Sequence, residues 1–198
     1  MRPTNYLKSV LFSLFLCSAS HSSELPERIE SFHNWSLYTQ TEDDRKICFI
    51  SSNPKEKYGN YKKRGTPYIW VRQISKNIDE VSITPGYRFK NDSYPKLGYY
   101  KSSLSFANAK NSIAVKAKEG RCGIQSEDLS YVFDVVDEEQ AWLKDVEEDE
   151  ELIKAMISGN YIVVAAQSPK NTCSFDVYSL MGFTKAYNKM KEICTEDD

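Results

Sequence analysis

The sequence predicts a mainly β protein, an antiparallel sandwich of short strands with two short helices at about 147–158 and 180–194. Three observations carry that reading. Roughly eight to ten short segments alternate, or run apolar, between Gly, Pro, Asn and Ser turn signals. Only two stretches place apolar residues at helical spacing. About 178 residues remain after the expected leader, the size of one domain with a sizeable core.

The chain opens with Arg2 and Lys8 around a polar segment, the apolar run Val10–Leu16, and small residues at Ser18-Ala-Ser20. That order is expected of a signal peptide over 1–20, cut near Ser20–His21, and is too short to span a bilayer as a helix. Cys17 raises acylation as an alternative, but bulky Leu16 precedes it where such sites usually have Gly or Ala. A flexible lead-in is expected over 21–33, a single domain over 34–195, and an acidic tail over 196–198.

Within the domain, Trp35–Thr39 and Ile47–Ile50 read as strands around a charged turn at Asp43–Lys46. A long loop, Asn53–Gly65, carries Lys62, Lys63 and Arg64 as the densest basic spot. A solvated tip is the default reading, and a candidate anion contact the sharper one. Pro67–Gln73 is rich in aromatic and β-branched residues, a strong strand signal. Asp79–Thr84, Tyr87–Phe89 and Tyr99–Phe106 follow as extended segments. Ile113, Val115 and Ala117 alternate with lysines as a half-exposed strand, and Tyr131, Phe133 and Val135 alternate likewise.

Glu147–Glu151 crowds carboxylates ahead of Leu152, Ile153, Met156 and Ile157, the charge placement a helix N-terminus favours. A calcium loop would need alternating ligands and an internal glycine, so no metal site is expected. Tyr161–Ala166 is an apolar run suited to a strand covered on both faces. Ser168–Asn171 turns it into Thr172–Tyr178. From an N-cap at Ser179, Phe183, Ala186, Tyr187, Met190 and Cys194 then recur at helical spacing.

Four cysteines remain after the leader: Cys48, Cys122, Cys173 and Cys194. An even number in an exported chain implies two disulfides, with three pairings open. Charge is unevenly spread, with 17 Lys/Arg against 5 Asp/Glu in 45–121 and 1 against 12 in 122–151. The two sets are expected to interleave and largely cancel, with a two-faced surface as the alternative. Both histidines, His21 and His33, precede the first expected core strand. No Ser-His-Asp or Cys-His arrangement or histidine zinc site is therefore expected, and no phosphate loop either, since Gly59 and Gly65 are one residue too far apart and are followed by Thr66-Pro67. Carboxylate-pair chemistry, as by Asp134 with Asp137 or Glu138, is the residual catalytic option. No catalytic residue, cofactor or nucleic-acid partner is expected, and the oligomeric state stays open.

Several segments in order carry a resemblance: Cys48-Phe-Ile-Ser-Ser-Asn-Pro-Lys55, Arg64-Gly65, Glu80-Val-Ser-Ile83 and Gly86-Tyr-Arg-Phe-Lys90. Ala141-Trp142-Leu143, Leu152–Met156 with Gly159, Ser168–Thr172 and Asp176–Thr184 with Ala186 continue it. Over Trp35–Cys194 the chain resembles the invasion-associated locus B family of exported bacterial envelope proteins. The resemblance implies an immunoglobulin-like β-sandwich in the periplasm or outer envelope, or secreted, associated with host-cell entry rather than with a reaction. Its partner would be an envelope or host component, with membrane-surface association but no transmembrane span. An adhesin gripping anionic polymers through the basic 45–121 region is the alternative, and a histidine-independent hydrolase a third.

The family branch carries two cysteines, at positions matching Cys48 and Cys194, so Cys122 and Cys173 look like additions. The resemblance therefore implies the pairings Cys48–Cys194 and Cys122–Cys173. Where the family shows Arg-Gly-Thr, this chain has Lys170-Asn171-Thr172. Tyr178, Leu180, Gly182 and Phe183 are read as packing residues.

Overall fold

The computed structural model describes residues 25–42, 45–124 and 129–194. The expected leader at 1–20 with Cys17, the Asp43-Asp44 part of the charged turn and the tail at 196–198 lie outside them. The chain runs β1 (Glu27–Phe32), β2 (Trp35–Glu42), β3 (Arg45–Ser52), β4 (Glu56–Gly59), β5 (Tyr68–Ser75) and β6 (Ile78–Thr84). It continues with β7 (Lys96–Tyr100), α1 (Ser103–Lys118), β8 (Leu129–Val132), β9 (Val135–Asp137), β10 (Gln140–Trp142) and α2 (Val146–Ser158). The last elements are β11 (Tyr161–Gln167), β12 (Cys173–Ser179) and α3 (Phe183–Cys194).

The strands form two antiparallel sheets, ordered β1-β2-β3-β5-β6-β10-β9 and β4-β12-β11-β7-β8. The mainly β class is thus observed. One face of the larger sheet supplies Leu37, Ile50, Ile69, Val71, Val81 and Ile83 to the main core. Leu97, Ile162, Val164 and Tyr178 enter it from the smaller sheet, Leu152 and Met156 from α2, and Phe183 and Met190 from α3. Full burial of each such aliphatic or aromatic side chain stabilises the fold by about 1.5–3 kcal/mol. The other face of the smaller sheet is covered by α1, whose Phe106, Ile113 and Ala117 pack with Val163, Ala165, Phe175 and Val177. With a cover on each side, β11 can be apolar at consecutive positions.

Helix α1 corrects two expected strands. Ile113 and Ala117 are four residues apart, Phe106 is seven before Ile113, and all three share the buried face. Ser102 caps the helix, its hydroxyl accepting from the Ser105 amide at 3.0 Å while Ser105 Oγ accepts from the Ser102 amide at 3.2 Å. Only β7, ending at Tyr100, remains of the segment expected at Tyr99–Phe106. There are accordingly three helices among the described residues rather than two.

The flexible lead-in is also corrected from Glu27 onward. That segment pairs with β2 as an edge strand, with Phe32 opposite Trp35. The expected loop at 53–65 contains β4, which extends the smaller sheet beside β12. Tyr87–Phe89 joins neither sheet; the Phe89 amide donates to the Glu138 carbonyl at 2.8 Å. The expected strand around Tyr131–Val135 divides, β8 lying in the smaller sheet and β9 in the larger.

The Tyr161–Ser179 hairpin is paired along its length, with Val163 opposite Val177. Asn171, in its turn, has φ 59°, a left-handed conformation that Asn tolerates better than most side chains. The following helix begins at Phe183 rather than near Ser179. Gly182 intervenes with φ 94°, and a Cβ there would lie 1.9 Å from the Phe32 carbonyl oxygen. Glycine lets this turn reach the β1–β2 hairpin. Asp145 caps α2, accepting from the Glu148 amide at 3.1 Å.

Candidate functional site

The strand alternation that sends Ile69 and Val71 inward sends Tyr68, Trp70 and Arg72 to the opposite face of the larger sheet. Registers extend this face across strands: Phe49 lies opposite Tyr38 and Arg72, and Ser82 opposite both Trp70 and Trp142. The rings touch. Tyr38 stacks on Phe49 at 5.2 Å, while Trp70 meets Phe49 edge-on at 5.9 Å and Tyr68 at 4.9 Å. Such pairs add about 0.5–1.5 kcal/mol each beyond burial.

A trough of about 260 Å³ lies on this face. Phe49, Trp70 and Trp142 supply its aromatic lining, and Gln40, Gln140 and Ser82 its uncharged polar groups. Arg72 and Glu80 also line it and pair with each other at 3.3 Å. Trp70 Nε1 is buried without an acceptor among the described residues. An unsatisfied buried donor costs about 1–3 kcal/mol, which ordinary packing seldom leaves in place. The chemistry offered is ring surface beside amide and hydroxyl groups, suited to binding. The signal was legible in Pro67–Gln73: when both faces of a strand carry large apolar side chains, each needs a cover or a ligand.

The basic loop divides. Lys62 and Lys63 are exposed, whereas the Arg64 side chain is 4% exposed and grips Asp176 on β12, itself 1% exposed. Arg64 Nη1 donates to Asp176 Oδ2 at 2.8 Å and to the Pro85 carbonyl at 3.1 Å. Its guanidinium sits 4.3 Å from the Tyr61 ring centre. Burial pushes the Asp176 carboxyl up, and Arg64 opposes that shift. As a candidate anion contact Arg64 is therefore corrected: its charge is committed inside the protein, and only Lys62 and Lys63 present theirs to solvent. Nearby, the Tyr87 and Ser174 hydroxyls lie 2.6 Å apart, and burial raises Tyr87 to about 12.

Asp134 and Glu138 line one open cleft of about 470 Å³ with Lys90 and Asp92. Glu138 is ion-paired with Arg88 in an exposed setting. Asp149 is buried at the start of α2 and accepts from the Val81 amide at 2.8 Å. Burial raises its carboxyl to about 7, with Glu80, Asp145 and Glu148 adding to the shift. His33 is exposed in the β1–β2 turn. Among the described residues, no three His, Cys, Asp or Glu side chains cluster to hold a metal, and no helix is long and apolar enough to cross a membrane.

Two disulfides are present. Cys48 on β3 is joined to Cys194 at the end of α3, with Cα atoms 6.2 Å apart. Cys122, after α1, is joined to Cys173 on β12 at 5.2 Å. Tyr178, Leu180 and Phe183 are buried in the main core.

No family model and no curated protein matches the chain. Its fold is similar to the crystal structure of invasion associated protein B from Bartonella henselae, with a TM-score of 0.52. The likeness covers 87% of this chain and 99% of that one, at 13% sequence identity. At that identity it establishes a relationship of fold alone.

Proposed function

We propose that this protein is an exported, non-catalytic binding protein of a bacterial cell envelope, serving host-cell invasion or envelope integrity. One observation carries the binding role. The inner face of the larger sheet is packed into the core, whereas its outer face bears the aromatic trough. The envelope and invasion setting draws on the fold likeness, the two disulfides and the leader expected at 1–20. In this reading the two sheets form an immunoglobulin-like sandwich, and the folded domain begins with β1 rather than at residue 34.

The exposed Lys62 and Lys63 favour a second reading, an adhesin for anionic polymers. It predicts heparin binding that weakens steeply with salt and is lost in Lys62→Ala/Lys63→Ala.

Complementation tests the leading reading. A deletion strain should enter host cells less well or leak under detergent, and the wild-type gene should restore it. A Trp70→Ala/Trp142→Ala variant, exported and folded to the same level, should not. Full restoration by that variant would remove the trough from the function, and protein retained uncleaved in the cytoplasm would remove the envelope.

A further inference from the structure

The binding reading leaves the ligand class open, and the trough's geometry narrows it. Trp70 on β5 and Trp142 on β10 both lie opposite Ser82 on β6, so one strand separates them. Two strand spacings set their backbones about 10 Å apart across the sheet. An extended β-1,4-linked pyranose chain turns by half a revolution at each unit, so every second ring shows the same face after about this distance. Pyranose rings have faces of C–H groups and rims of hydroxyls. Indole surfaces suit the faces, and the amides of Gln40 and Gln140 can both donate and accept at the rim.

The charge pattern excludes other occupants. Arg72, the cation lining the trough, is paired with Glu80, and Glu42 adds a further negative charge, so an anionic polymer meets no free cation there. Gln40, Ser82 and Gln140 interrupt the apolar surface that a lipid or a hydrophobic protein patch would require.

We propose that the trough between Trp70 and Trp142 binds an extended, uncharged β-1,4-linked glycan strand, two rings resting on the indoles and their hydroxyls meeting Gln40 and Gln140. This assignment rests on the binding function proposed above.

Its test is titration of the purified, disulfide-intact protein with cellotetraose and chitotetraose, with α-linked maltotetraose as control, followed by tryptophan emission and calorimetry. At least one β-linked tetramer should bind saturably, and maltotetraose about tenfold more weakly or worse. Trp70→Ala and Trp142→Ala should each weaken binding about tenfold, and Trp142→Tyr by no more than about threefold. Gln140→Leu, which leaves both indoles in place, should weaken it several-fold and guards against misfolding of the tryptophan variants. Binding should change little with salt, because no charge is neutralised. Absence of binding by both β-linked tetramers at about 10 mM, or equal binding by folded Trp→Ala variants, overturns the glycan assignment. If the tetramers fail while Trp70→Ala/Trp142→Ala still fails to complement, only the ligand class falls. If that variant complements as well, the recognition face falls with it.

Discussion

Arg64 and Asp176, 112 residues apart in the chain, form a two-pronged ion pair that joins the loop after β4 to β12 of the smaller sheet. The same guanidinium reaches Pro85, just beyond β6 of the larger sheet. One side chain therefore ties together segments of both sheets. Removing one partner strands the other as a buried charge, so Arg64→Met or Asp176→Asn should cost about 3–5 kcal/mol in urea unfolding. The double variant Arg64→Met/Asp176→Leu should cost less than either single change. Singles losing under about 1 kcal/mol would show that the pair is open to water.

Asp149 should make stability fall as pH rises. Its folded-state value of about 7 lies above the ordinary 3.8. Between about pH 4 and 7 the folded chain holds a proton that the unfolded chain releases, and this stabilisation is lost on passing upward through the window. Asp149→Asn retains an acceptor for the Val81 amide and removes the titration. The variant should gain on wild type across that window, by a few kcal/mol at most. Parallel melting-temperature curves against pH would contradict the assignment.

Non-reducing peptide mapping should recover Cys48 with Cys194 and Cys122 with Cys173. The bridges join positions 146 and 51 residues apart. Loop entropy assigns them about 5 and 4 kcal/mol respectively as upper values. Losing Cys48–Cys194 should thus lower stability slightly more than losing Cys122–Cys173. A peptide joining Cys173 to Cys194 would overturn both pairings.

Gly182→Ala should destabilise the protein by more than a surface substitution, about 1–3 kcal/mol for the left-handed backbone alone. The approach of Phe32 to this position adds to that cost. Thermal unfolding checks it, and an unchanged midpoint would show that β1 moves aside freely.

What the sequence made legible follows from how each element is covered. β11 could be read because its two covered faces left a long apolar signature at Tyr161–Ala166, and β12 because Phe175 and Val177 alternate with polar neighbours after the Ser168–Asn171 turn. α1 could not, because Ile113, Val115 and Ala117 satisfy a two-residue period as well as the four-residue contact that the fold uses. β1 was hidden for the opposite reason: its side chains are mostly exposed, so its backbone ladder to β2 leaves no apolar pattern. Lys62, Lys63 and Arg64 looked alike in sequence, and only the distant Asp176 separates the third from the other two. The trough draws on residues from Gln40 to Trp142, and no local pattern announces that β10 lies beside β6.

In the proposed function, the outer face of the larger sheet is the surface that meets the partner. Photo-crosslinking in intact cells checks this, with a benzophenone side chain placed at Glu139, exposed beside the trough residue Gln140, or at Leu104, 71% exposed on α1. A discrete adduct is expected from position 139, lost when Trp70→Ala/Trp142→Ala is added, and none from position 104. A discrete adduct from position 104 with none from 139 would place the working surface on α1 instead.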